Sequence, residues 1–138
     1  MIIPNLKVAD MARSLAFYCN TLGLTLNMAV TPDRELKTDG GYEGVVFADL
    51  GWDGARLMLQ EAESLASELP GCDAAAAPNR TNVIYFAGFD HKAVLDRLDP
   101  AHIVKDPALQ WYGMMELYLQ DPDGHIICLA HPEGEPPA

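Results

Sequence analysis

The sequence predicts an α+β fold of two tandem βαβββ modules. Short runs of two-residue alternation surround single stretches with helical spacing of apolar residues. Two turn signals, Asp53-Gly54 and Asp123-Gly124, each stand between apolar runs that read as hairpin arms. The offset of 70 that superposes those turns also lays Leu57 on Ile127 and Leu59 on Leu129, the signature of an internal duplication.

The first module spans about residues 1–61. Residues 2–8 read as a strand, and Asp10 follows where a carboxylate would accept a backbone N–H of a first helical turn. Met11, Leu15, Tyr18 and Leu22 form one apolar stripe, and Gly23 supplies a left-handed cap, so a helix is expected over 11–22. Residues 24–30 read as a strand. Residues 31–41, rich in charge and Gly, read as a loop or lid, and the loop expected to shape ligand access extends to about residue 43. A hairpin with arms 44–50 and 55–60 closes the module.

Residues 62–80 have weak periodicity and several breakers, including Pro70-Gly71 and Pro78, and are expected to link the modules. The second module spans about 81–132. Residues 83–86 read as a strand; Asp90 stands at a helix start, with Val94, Leu95 and Leu98 as its apolar side. A strand is expected over 101–105 and a final hairpin over 114–120 and 126–130, turned by Asp121-Pro122-Asp123-Gly124. Residues 133–138 form a flexible, Pro-rich tail.

With 138 residues, the chain can bury a hydrophobic core as one domain without disulfides. Twenty acidic residues against nine Lys and Arg give a formal charge of −11, which opposes nucleic-acid binding and attracts cations. Cys19, Cys72 and Cys128 are odd in number and widely spaced, which indicates neither a disulfide framework nor a thiolate zinc site. With neither a basic leader nor a membrane-length apolar run, a soluble, cytoplasmic protein is expected. No Ser or Cys sits in a nucleophile elbow, and there is no phosphate-binding loop.

Asp10-x-x-x-Ser14-Leu15-x-Phe17-Tyr18-x-x-x-Leu22-Gly23, followed downstream by Trp111-Tyr112-Gly113 and Asp121-Pro122-Asp123-Gly124-His125, resembles the glyoxalase, bleomycin-resistance and extradiol-dioxygenase (vicinal-oxygen-chelate) family. The resemblance implies a curved eight-stranded mixed sheet around a concave pocket, and a homodimer. It also implies four metal-ligand positions, usually His, Gln or Glu. Here they fall on Ile3, Met58, Val83 and Cys128, which offer two sulfurs and neither carboxylate nor imidazole. A metal-free pocket without a cofactor is therefore expected, although Glu61 would restore one ligand under a shifted register. His91, His102, His125 and His131 show no close ligand spacing and read as exposed or capping residues.

Strand alternation nominates the residues two away from those positions as pocket lining: Asn5, Arg56, Gln60, Tyr85, Ile126 and Ala130, beside Met58 and Cys128. On the last hairpin, Met115, Leu117 and Leu119 should face the helices, leaving Glu116, Tyr118 and Gln120 on the concave side. Trp111 and Tyr112 would form an aromatic wall suited to a flat or cationic ligand. The expectation is a bleomycin-resistance-like protein that sequesters an aromatic or cationic small molecule of unknown identity. The alternative is a related lyase, isomerase or oxygenase, metal-free or with displaced ligands. The metal-free version would use Glu116 and Tyr118 for acid-base work.

Overall fold

Asp10 separates the first strand from the first helix, as its position predicts: its carboxylate accepts the Arg13 N–H at 3.2 Å. The computed structural model describes residues 1–38 and 40–136. The chain divides between Ala77 and Pro78 into two units.

In the first unit, β1 (Asn5–Val8) is shorter than expected. Pro4 has no N–H to give a ladder, and its carbonyl instead receives the Met58 N–H at 2.8 Å. The expected helix divides into α1 (Met11–Leu15) and a π-helical turn (Ala16–Thr21). Met11, Leu15, Tyr18 and Leu22 are all buried, and the wider turn also carries Phe17 inward, its ring edge-on to Tyr18 with centroids 5.0 Å apart. Gly23, at φ +84°, ends the helix and lets Leu24 N–H return to the Tyr18 carbonyl at 2.9 Å.

The strands β2 (Thr25–Val30), β3 (Phe47–Trp52) and β4 (Ala55–Glu61) complete a sheet of order β1-β4-β3-β2, with β1 parallel to β4 and the remaining pairs antiparallel. Asp53 and Gly54 both have positive φ, so a two-residue turn of matching twist joins β3 to β4. The loop after β2 folds back on it through a Val30–Leu36 bridge and a Lys37 N–H to Ala29 carbonyl bond of 2.8 Å. Asp39, within the expected lid, lies outside the described residues. Val8, Leu15, Ala48, Leu50 and Leu59 are fully buried, each Leu contributing about 1.5–3 kcal/mol of transfer free energy.

The 62–80 segment contains a helix that its weak periodicity did not predict. Glu61 accepts the N–H groups of Glu63 and Ser64 and so starts α2 (Ala62–Glu68). Lys7 Nζ then clamps the chain beyond it, donating to the carbonyls of Asp73 and Ala76 at 2.5 Å each.

The second unit repeats the strand order. β5 (Val83–Ala87), β6 (Ile103–Leu109), β7 (Met114–Gln120) and β8 (Ile126–Pro132) form a sheet of order β5-β8-β7-β6, again with its first and last strands parallel. The helix expected after Asp90 is instead a 3-10 turn, His91–Ala93, followed by further turns; Val94 and Leu98 are buried but Leu95 is exposed. The cause is crowding. Gly88 and Phe89 are held by the Ala130 carbonyl, and Asp99 already caps the 3-10 turn Pro100–His102, so tight i to i−3 bonds such as Arg97 N–H to Val94 carbonyl close the short interval. That second turn also delays β6 by two residues, and Pro107 coincides with a register shift between Lys105 and Ala108. Among the described residues, no helix is long and apolar enough to cross a membrane.

Candidate ligand-binding site

Alternation along β7 buries Leu117 and Leu119 completely on one side of the strand and turns Glu116 and Tyr118 to the other. Glu116 is only 2% exposed, and a buried carboxylate needs partners. Three phenols supply them. Tyr85 donates to Oε1 at 2.8 Å, Tyr112 to Oε1 at 2.5 Å, and Tyr118 to Oε2 at 3.2 Å. Tyr118 and Glu116 share one face of β7, Tyr112 stands in the turn before it, and Tyr85 reaches over from β5.

These contacts fix protonation states. Burial, followed by the hydrogen bond to Glu116 and its charge, pushes the Tyr85 phenol far above its ordinary value. The hydrogen bond to Glu116, with burial second, raises Tyr112 to about 12; burial first, then the neighbouring Cys128 and Glu116, raises Tyr118 to about 12. Cys128, fully buried beside them, is pushed up to about 12 by burial and then by the Glu116 charge. At neutral pH all four therefore keep their protons, and the phenols act as donors rather than bases. Trp111, 81% exposed, stands edge-on to Tyr112 with centroids 5.3 Å apart, and Lys105 Nζ lies 5.9 Å from the Tyr118 ring centroid.

The first unit holds a separate groove of about 780 Å³. Asn5, Met58 and Gln60 line it, together with Met28, Phe47 and Glu68, which the sequence analysis did not single out. Asn5 Nδ2 donates to Gln60 Oε1 at 3.0 Å, and Gln60 Nε2 donates to Ser64 Oγ at 3.1 Å and Glu68 Oε2 at 2.8 Å, which ties α2 to the groove wall. Arg56 is turned instead to Asp49, whose carboxylate accepts its Nε at 3.0 Å and also bonds its Nη2. Asn27 Nδ2 adds a third donor at 3.2 Å. An Asp in the middle of the apolar run Phe47-Ala48-Asp49-Leu50 was the available sequence signal for this pair. Ile126 and Ala130, also nominated, are buried on β8.

A family model for the glyoxalase/bleomycin resistance protein/dioxygenase superfamily matches residues 4–129. The chain belongs to that superfamily. A search of curated proteins finds no match. Among solved structures, a protein of unknown function from Agrobacterium tumefaciens str. C58 is similar at 24% identity and TM-score 0.71, covering 95% of this chain and 92% of that one. A glyoxalase/bleomycin resistance protein/dioxygenase from Nocardioides is similar at 23% identity and TM-score 0.60, covering 99% and 85%. A family enzyme from Burkholderia phytofirmans PsJN is similar at 15% identity and TM-score 0.66, covering 94% and 96%. These likenesses are of fold.

Strand register sets two further residues beside two of the expected metal positions. Met58 pairs with Asn5, and Cys128 with Tyr85, in the same parallel arrangement in each unit. Ile3 precedes β1, and Val83 pairs with Ile126, so the residues that stand directly beside Met58 and Cys128 are Asn5 and Tyr85. The resulting donors do not suit a divalent metal. The Asn5 amide is bonded to Gln60, the Tyr85 phenol to Glu116, Met58 is a thioether and Cys128 holds its proton. Glu61 is occupied in capping α2.

The histidines also depart from expectation. His91 is buried rather than exposed, and its ring lies beside His131, with centroids 5.5 Å apart. His102 Nδ1 is 2.7 Å from the Gln120 carbonyl.

Proposed function

We propose that the protein binds and sequesters a cationic aromatic small molecule, using the Glu116 and tyrosine cluster of the second unit. The observation that carries this reading is the set of partners around Glu116: three neutral phenols, contributed by Tyr85, Tyr112 and Tyr118. Hydrogen bonds hold the carboxylate in place without cancelling its charge. The rings that carry those hydroxyls, with exposed Trp111 beside them, offer π faces to a cation. Lys105, already set over the Tyr118 ring, is an internal example of that contact.

The same geometry argues against acid-base catalysis. Three oxygens already donate to Glu116, and the neighbouring phenols and thiol are hard to ionise. The three cysteines are free thiols, which suits a reducing compartment such as the cytoplasm. The superfamily resemblance adds the proposal of a homodimer.

The test is titration of tryptophan fluorescence with a planar acridinium or quinolinium dye, followed by chromatography of the recovered dye. Saturable quenching, at least tenfold weaker binding by Glu116→Gln, and dye recovered unchanged are expected. Equal affinity in the variant would remove the carboxylate from the reading. Conversion of the dye would replace sequestration with catalysis.

A further inference from the structure

Alternation along β8 places His131 on the face opposite Cys128 and Ala130, away from the Glu116 cluster. There one ligand atom each from Asp90, His91 and His131 lie within 4.8 Å of one another. His131 Nε2 is 3.8 Å from Asp90 Oδ1 and 3.0 Å from Glu133 Oε2, so a second carboxylate borders the group. The two Nδ1 atoms of His91 and His131 are buried without hydrogen-bond partners, and His91 as a whole is only 4% exposed. Buried imidazole nitrogens are ordinarily satisfied, so the unpartnered nitrogen of His91 is an anomaly that a ligand would resolve.

We infer that Asp90, His91 and His131 form a binding site for a divalent transition metal such as zinc, with water completing the coordination. Ligand atoms held about 2.0–2.1 Å from a tetrahedral centre stand about 3.3 Å apart, and the 3.8 Å from His131 Nε2 to Asp90 Oδ1, in a trio of ligand atoms no more than 4.8 Å apart, lies near that spacing. The donors are of the right kind, two imidazoles and one carboxylate. Asp90 is oriented by the Lys92 N–H, which its Oδ1 accepts at 3.0 Å. The site joins the turn after β5 to the end of β8. It is independent of the superfamily positions at Met58 and Cys128.

Apoprotein prepared with a chelator and titrated with cobalt(II), then zinc, tests this assignment. One cobalt per chain is expected, with visible d–d bands of four-coordinate strength and without a thiolate charge-transfer band in the near ultraviolet. Zinc should displace it. Asp90→Asn and His131→Gln should each weaken binding at least tenfold, with circular dichroism reporting that the fold is kept. Asp90 has an exposed side chain, so its variant remains informative if the histidine variant fails to fold. Absence of saturable binding at about 100 μM cobalt, an affinity untouched by Asp90→Asn, or a thiolate band pointing to cysteine would each overturn the site.

Discussion

Tyr85 reaches Glu116 across an intervening strand. Its hydroxyl donates at 2.8 Å from β5 to β7, although β8 lies between them, with Cys128 paired to Tyr85 and Ala130 paired to Glu116. The small side chain of Ala130 leaves that path open.

Ala130→Leu should therefore break the cluster. Added methyl groups in a fully buried position cost about 1–3 kcal/mol, and here they also stand between the phenol and its acceptor. Urea denaturation should show the loss of stability. The dye titration should show weaker binding, whereas Ala130→Ser should preserve both.

The phenols should ionise late. Tyr112 and Tyr118 are raised to about 12 and Tyr85 further still, so an ultraviolet pH titration should show these three phenols protonated through about pH 11. Because these folded values lie above the ordinary phenol value of 10.0, their contribution to stability is present below it and is lost as pH rises through about 12. In Glu116→Gln the phenolate signal should move toward lower pH. An unmoved signal would mean that the carboxylate does not hold these protons.

Asp49 predicts an acid-sensitive first unit. The Arg56 hydrogen bond, opposed by burial and aided by Asn27, holds its carboxyl below the ordinary value of 3.8. The unfolded chain thus binds a proton more readily, so the stabilisation is present above about pH 3.8 and disappears as pH falls through the folded value. Arg56→Gln should narrow the difference between urea midpoints measured at pH 6 and pH 3. An unchanged difference would assign the acid response to other groups.

Thiol reactivity should separate the cysteines. Cys128 is fully buried with its thiol pushed up to about 12, and Cys19 is raised to about 11 by burial. Both should resist a disulfide reagent at pH 8 in native protein and react once the chain is unfolded. Rapid native labelling of Cys128, located by peptide mass spectrometry, would contradict the buried position of β8.

The strand plan was legible because burial is written at two-residue spacing and the turns at 53–54 and 121–124 have demanding backbone chemistry. Glu116 stood out as a carboxylate on an otherwise apolar hairpin. Its three partners were each nominated for the pocket, but their meeting at one carboxylate was not legible, because Tyr85 and Tyr112 reach it through register and turn geometry. The pairing of Asn5 with Met58 and of Tyr85 with Cys128 has a similar origin: pattern locates a strand, but hydrogen bonding decides which residues stand side by side. The His91–His131 approach was hidden by 40 residues of separation. The 91–98 segment had helical spacing without room for a helix, and α2 had a helix with little spacing to announce it.

The clamp at Lys7 bears on how the chain emerges during synthesis. Every strand of the first sheet lies within residues 5–61, and the carbonyls that Lys7 grips are at 73–76, just before the division at Ala77. A nascent chain that has cleared the ribosome exit to about residue 77 thus already contains every hydrogen-bonding partner used by that sheet. The first unit can close, and anchor its own trailing end, while the second is still being translated.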